Sequence, residues 1–155
     1  MDTTVQMITI READISDVED LQELYLKHLT QYPPREEQTI EKWSELLQTL
    51  IENPDYYIIV CELEGKVISS VTLVVIRNLT HNLRPYSIME NVVTHAEFRN
   101  RGYASALIEK ASEIAKGKDC YKIMLQTGSK KDSTLRFYER SGFNSNEKTG
   151  FIKRL

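Results

Sequence analysis

Cysteine is scarce in this chain. Cys61 and Cys120 stand alone, with no C-x-x-C spacing and no histidine cluster. That argues against both a disulfide framework and a zinc site and fits a reducing compartment; both residues are expected in strands. No apolar run approaches the roughly 20 residues of a membrane span. The start, Met1-Asp2-Thr3-Thr4, lacks the basic-then-apolar order of a secretory signal. The expected location is therefore cytoplasmic, without a membrane partner. Repeats, low-complexity tracts and linkers are also missing, so residues 1–155 read as a single domain. With 41% hydrophobic and 28% charged residues, that domain can build a core unaided, and disorder is excluded.

The formal net charge of -3 hides a polarity. Residues 1–98 hold 7 basic and 17 acidic side chains, a balance of -10, and residues 99–155 hold 13 and 6, a balance of +7. A basic final third on an acidic protein points to a local polyanion site. Nucleic acid is disfavoured, because the basic residues are dispersed, no DNA or RNA module is legible, and the pI is about 5.7.

Hydrophobic periodicity predicts the order β-α-α-β-β-β-α-β-α-β. Val5 to Ile10 reads as a first strand. Ser16 and Glu19 form a capping box, with Asp14 competing for the cap, ahead of a helical stripe from Val18 to Leu29. Ile40, Trp43, Leu46, Leu47, Leu50 and Ile51 form a second stripe that stops at Asn53-Pro54; both stripes read as core. Tyr56–Leu63 and Val67–Ile76 form a hairpin about Glu64-Gly65-Lys66. Asn78 to Pro85 is a polar loop suited to border a substrate pocket. Tyr86–Thr94 is a strand, Ala104 to Ala115 a helix with Gly117 as its C-cap, and Tyr121–Thr127 a strand. Asp132 caps a short helix ending at Gly142, and Thr149–Leu155 is a last short strand.

The chemistry concentrates where a strand enters a turn, Glu90-Asn91-Val92-Val93-Thr94 and then Arg99-Asn100-Arg101-Gly102-Tyr103-Ala104. Such a turn aims several backbone N–H groups at one point, and the helix dipole adds partial positive charge, together a phosphate cradle. Gly102 leaves room for close approach, and Ala104 keeps the first turn narrow. Neither G-x-x-x-x-G-K nor G-x-G-x-x-G is present. Taken alone, the hexapeptide is equally an ordinary turn with solvated arginines.

Downstream, Phe137-Tyr138-Glu139-Arg140-Ser141-Gly142-Phe143 places a Tyr on a short helix ending at a Gly. The two segments, one helix and one strand apart, together resemble the GNAT acetyltransferase superfamily. Arg-Asn-Arg-Gly-Tyr-Ala stands where that family has Q/R-x-x-G-x-G/A, and the later segment matches F-Y-x-x-x-G-F. The resemblance implies an α/β (α+β) fold with a mixed, mostly antiparallel sheet of six or seven strands flanked by about four helices, splayed where the strands of Val92 and Tyr121 part. It implies acetyl-CoA as cosubstrate, no metal, a small-molecule amine as acceptor, and a homodimer. Backbone amides of Arg101, Gly102, Tyr103 and Ala104, with those of Arg99 and Asn100 nearby, would hold the CoA pyrophosphate. Val92 and Val93 would pair with the pantetheine arm, and one of their N–H groups would polarise the thioester carbonyl, an oxyanion-hole contact of a kind worth about 2.7–4 kcal/mol. Tyr138 would protonate the departing thiolate. Glu90, two residues before Val92, would take the amine's proton or hold its ammonium. His95 reads as structural, and Asn91 as an irregularity in the strand.

Local phrasing around Glu90, Cys120 to Ile123, Phe137 to Arg140 and Lys153-Arg154-Leu155 also looks like the glucosamine-6-phosphate N-acetyltransferases. Arg84, Lys130, Lys131 and Lys153 would then meet a substrate phosphate, although the lysines equally suit a solvated surface or the CoA 3'-phosphate. Gly102 and Tyr103 depart from that branch. A non-catalytic CoA-binding sensory module is the alternative from another class.

Overall fold

The computed structural model describes residues 7–31 and 33–155. Its frame is one five-stranded sheet in the order β1 (Ile8–Glu12), β2 (Tyr56–Leu63), β3 (Lys66–Ile76), β4 (Tyr86–Thr94), β5 (Ile123–Leu125). The first four strands are antiparallel neighbours and β5 runs parallel to β4. Helices α1 (Val18–His28) and α2 (Ile40–Glu52) precede β2; α3 (Tyr103–Gly117) links β4 to β5, and α4 (Asp132–Arg140) follows β5.

Alternation along the strands explains two cores. Ile59, Cys61 and Leu63 face one side with Leu73, Met89 and the Leu107, Ile108 and Ala111 stripe of α3. Ile58 and Val60 face the other with Val93, Leu21 and Leu24 of α1, and Leu47 of α2. The β2–β3 hairpin is tight: Glu64 at φ 51° and Gly65 at φ 81° form its loop between paired Leu63 and Lys66. Two successive positive φ values mark the turn whose twist suits paired strands.

Several sequence expectations are corrected. The sheet has five strands rather than six or seven, because Thr149–Leu155 forms none: Phe151 and Ile152 are adjacent rather than alternating, and both lie exposed. The strand expected over Tyr121–Thr127 pairs only at Ile123–Leu125. The first strand begins at Ile8; its expected Val5–Gln6 portion lies outside the described residues. The cap ahead of α1 belongs to Asp14, which accepts from the Ser16 amide at 2.9 Å while Asp17 accepts from the Asp14 amide at 2.9 Å. Gly117 lies inside α3, and Asp119 takes the left-handed position at φ 62° that ends it. A short polar side chain tolerates that conformation. The α2 stripe packs on the core as expected, fully buried at Leu47 and half-buried at Trp43, Leu50 and Ile51, except at Leu46, which is 60% exposed.

Candidate active site

The site is set by how β4 is built. Ser70 pairs with Val93 and Thr72 with Glu90, so two residues of β4, Asn91 and Val92, stand opposite Val71 alone. This is a β-bulge, with Asn91 at φ 53°. Without it, residues 91 and 93 would share a face with Met89. With it, Met89 and Val92 pack on the α3 side while Val93 packs on the α1–α2 side and Asn91 opens onto a cavity there. The irregularity expected at Asn91 is therefore the element that re-aims the strand.

The ladder between β4 and β5 ends at the Met89–Leu125 pair, so Glu90 to Thr94 have no strand on that side. The two strands part as expected. The open stretch of β4 leads through a short 3-10 turn, Ala96–Phe98, to the start of α3. Gly102 precedes α3 at φ 84° with no side-chain cap, which leaves the first-turn N–H groups at Tyr103 and Ala104 free to meet an anion. A Cβ on Gly102 would project into open space, the room that a phosphate needs. Asn100 is also left-handed, at φ 62°. Side chains brace this turn from behind. The Arg99 guanidinium donates to the carbonyls of Thr94 at 3.1 Å and His28 at 3.3 Å, and Arg101 lies 5.4 Å over the Phe98 ring. His95 is structural: its Nδ1 accepts from the Glu97 amide at 3.1 Å and its ring lies 4.1 Å from that of His28.

Tyr138 lies on α4 and packs, with Val92, Tyr103 and Leu125, against the α3-side core. Burial alone pushes its phenol pKa up, since desolvation disfavours the phenolate. Glu90 lies on the opposite, α1–α2 face, in a cross-strand row with Thr72 and Ile58. The two sequence-derived residues therefore lie on opposite sides of the sheet, Tyr138 with the α3-side core and Glu90 on the α1–α2 side, next to the bulge.

Beside Glu90 is a cavity of about 390 Å³ between α1, α2 and the sheet, which the sequence reading did not anticipate. Thr72 and Asn91 line it, with Tyr25, Trp43 and Tyr56. Burial raises the Tyr25 pKa against hydrogen bonds with Thr72, Ser70 and Asn91. The Tyr56 pKa is raised by burial, then by Tyr25 and the charge of Glu90. The one signal in the sequence was the width of the α2 stripe, with Leu46 at its edge. The loop Asn78–Pro85 borders a separate cleft of about 310 Å³ with Asp55, Arg77 and Lys118, where β4 begins, far along the strand from the turn at Gly102.

Comparison with known proteins agrees with this geometry. Residues 18–143 match the Acetyltransferase (GNAT) family. A glucosamine 6-phosphate N-acetyltransferase of Trypanosoma brucei brucei is 33% identical over 84 residues, 54% of this chain and 55% of that protein. An uncharacterized N-acetyltransferase of Methanocaldococcus jannaschii is 28% identical over 146 residues, 92% of this chain and 63% of its own length. The matches thus span between half and two thirds of these two relatives. A solved candidate acetyltransferase from Agrobacterium tumefaciens superposes with a TM-score of 0.87 at 37% identity, over 95% of this chain and 99% of that one. A β-bulged strand that parts from its parallel neighbour and runs into a glycine-led helix is thus joined by a match over most of the sequence: the chain belongs to the GNAT family of acetyltransferases.

Proposed function

We propose that the protein is an N-acetyltransferase that moves the acetyl group of acetyl-CoA directly to a primary amine of a small molecule. The observation that carries this reading is the open edge of β4 from Glu90 to Thr94, which leads to the uncapped start of α3 at Gly102. Coenzyme A suits that geometry, with a linear amide-bearing arm for a free strand edge and a pyrophosphate for free N–H groups. The amides of Arg101, Gly102, Tyr103 and Ala104, with those of Arg99 and Asn100, would hold the pyrophosphate, and the main chains of Val92 and Val93 the arm. Bound acetyl-CoA supplies the acetyl group as an activated thioester.

The chain's own residues then manage protons. Glu90 takes a proton from the ammonium of the acceptor, directly or through water, or holds that ammonium in place. As the amine nitrogen bonds the acetyl carbon and the carbon–sulfur bond breaks, Tyr138 gives its Oη proton to the leaving thiolate, and the nitrogen's surplus proton, released through water as the amide forms, restores the phenol. Its raised pKa keeps that proton in place at neutral pH. Neither Cys61, buried in the core, nor Cys120, three residues ahead of β5, stands at the bulge, which favours direct transfer.

The test is release of free CoA from acetyl-CoA with a broad panel of amines. Stimulation by one amine class is expected. Tight CoA binding with no stimulation by any amine would replace the enzyme reading with a non-catalytic CoA-binding sensory module. Glucosamine 6-phosphate belongs in the panel because of the 33% identical relative.

A further inference from the structure

Resting on that reading, we infer that the acceptor is a primary amine with an apolar, ring-sized body, held in the cavity between α1, α2 and β2–β4. The cavity's about 390 Å³ lies at the small end of the roughly 300–1,000 Å³ typical of ligand sites. That suits one ring with a short arm. Trp43, Leu46 and Leu50 of α2 and Tyr56 of β2 form its walls. Leu46 is 60% exposed while lining a cavity, an apolar side chain that an apolar occupant would cover. The aromatic wall is fixed in advance. Trp43 Nε1 donates to Gln38 Oε1 at 2.9 Å, and its ring meets Tyr25 edge-on at 5.8 Å. Little side-chain freedom remains for a ligand to freeze.

The polar groups gather at the sheet. Thr72 and Asn91 line the cavity, and Glu90 shares the row of Thr72 and Ile58. The cavity is therefore apolar toward α2 and polar toward the bulge, where the Glu90 carboxylate stands next to the lining residues Thr72 and Asn91 without lining the cavity itself. A molecule complementary to both ends carries an ammonium group on a hydrocarbon or aromatic body and delivers its nitrogen to the bulge. A phosphorylated amino sugar suits it poorly. Lys42 is the only cation among the lining residues, and no arginine joins it. Ring hydroxyls would face Trp43 and leucines without partners, and a buried polar group left unpaired is costly. A polyamine would meet a single carboxylate with several charges.

The experiment uses two independent readouts. Trp43 is the sole tryptophan, so its fluorescence reports ligand entry without any chemistry, and CoA release reports transfer. 2-Phenylethylamine, glucosamine 6-phosphate and spermidine are each titrated by both. 2-Phenylethylamine is expected to change Trp43 emission saturably and to be acetylated with a kcat/KM at least about tenfold above the other two, the size of one lost apolar contact. Leu46→Ser, at an exposed position that folding tolerates, is expected to weaken the fluorescence-detected binding about tenfold or more. Trp43→Ala is expected to raise KM more than it lowers kcat. Preference for glucosamine 6-phosphate or spermidine, with no saturable Trp43 response to 2-phenylethylamine, overturns the inference and leaves acetyl transfer standing. A saturable response sensitive to Leu46→Ser, without transfer to any amine, upholds the cavity's ligand class and overturns the transfer reading. No response and no transfer overturns both.

Discussion

The amide of Phe143 bonds the carbonyl of Tyr138 at 3.1 Å while their rings meet edge to face, centroids 6.2 Å apart at 88°. Gly142 between them donates to the Glu139 carbonyl at 3.0 Å from a left-handed φ of 97°. This pair of bonds, with its apolar contact across the end of the helix, is a Schellman motif. Six of the seven residues that match F-Y-x-x-x-G-F, Tyr138 to Phe143, are thus a helix terminator, and the residue whose carbonyl it satisfies is the proposed acid. The pattern Tyr-x-x-x-Gly-Phe has a mechanical meaning: it ends α4 at a fixed distance from the phenol and clamps the ring from one side.

Gly142→Ala should expose that role. Nothing lies within 4 Å of a Cβ placed there, so the cost is that of the backbone alone, about 1–2 kcal/mol for a left-handed L-residue. For a protein of this size each kcal/mol lowers the melting temperature by roughly 2–4 °C. A drop of that order, with an altered turnover because Tyr138 loses its clamp, is the expected result of thermal and kinetic assays. An unchanged melting temperature would show that α4 ends without this motif.

Tyr138→Phe removes one oxygen from a ring whose packing against Phe137 and Phe143 survives. Turnover is expected to fall by about 100-fold, the lower range of general acid contributions, with acetyl-CoA affinity unchanged in equilibrium binding. Burial raises the phenol pKa above 10.0, so its protonated form persists at least that far. The rate in the parent protein should therefore show no alkaline decline from Tyr138 below about pH 10. A loss of affinity equal to the loss of rate would assign Tyr138 to binding.

Arg11 holds together the strand edge on which the first helix rests. Its guanidinium reaches both oxygens of the buried Asp17, at 2.7 and 2.8 Å, and Glu62 of β2 at 2.9 Å. The first of these pulls its pKa upward most strongly. Arg11→Ala leaves the Asp17 carboxylate, 5% exposed, with backbone partners alone. A loss of about 3 kcal/mol is expected, as for buried pairs broken by removing one partner. Urea unfolding would measure it. Arg11→Lys should recover only part, because an ammonium cannot fork across two oxygens.

Elements with strong local grammar were legible in the sequence. The Glu64-Gly65 hairpin, the α3 stripe and the stop at Asn53-Pro54 all follow from residue type and spacing, and Gly102, read from the room a phosphate needs, also takes a left-handed conformation that glycine adopts without strain. The corrected elements depend on partners distant in sequence. Whether Thr149–Leu155 pairs as a strand is decided by its neighbours, and its residue types alone misled. Leu46 was read as core with the rest of the α2 stripe because periodicity reports which face is apolar but not how far protein covers it. Glu90 and Tyr138 were proposed from the family pattern, whereas Trp43, Tyr56 and Thr72, on three different elements, meet only once the sheet and the helices are assembled.

His28 ties the end of α1 to the turn before α3, and its protonation should loosen both. Its Nδ1 accepts the Ala96 amide at 3.2 Å, its carbonyl accepts from Arg99 at 3.3 Å, and its ring lies 4.1 Å from His95. Desolvation first, then the nearby charges of His95 and Arg99, hold its pKa below the usual 6.5, against an opposing pull from Glu23. A proton on Nδ1 would also displace the Ala96 bond. Because the folded form binds this proton more weakly than the unfolded chain, the contribution to stability is complete above about pH 6.5 and is lost as the pH falls through the folded value. The melting temperature is expected to decline from pH 7 toward pH 5. His28→Gln, whose amide oxygen can accept the same N–H but does not titrate, should flatten the decline across that interval. Parallel curves for the two proteins would place the acid sensitivity elsewhere, and a flat curve in the variant would show that this imidazole couples α1 to the turn before α3.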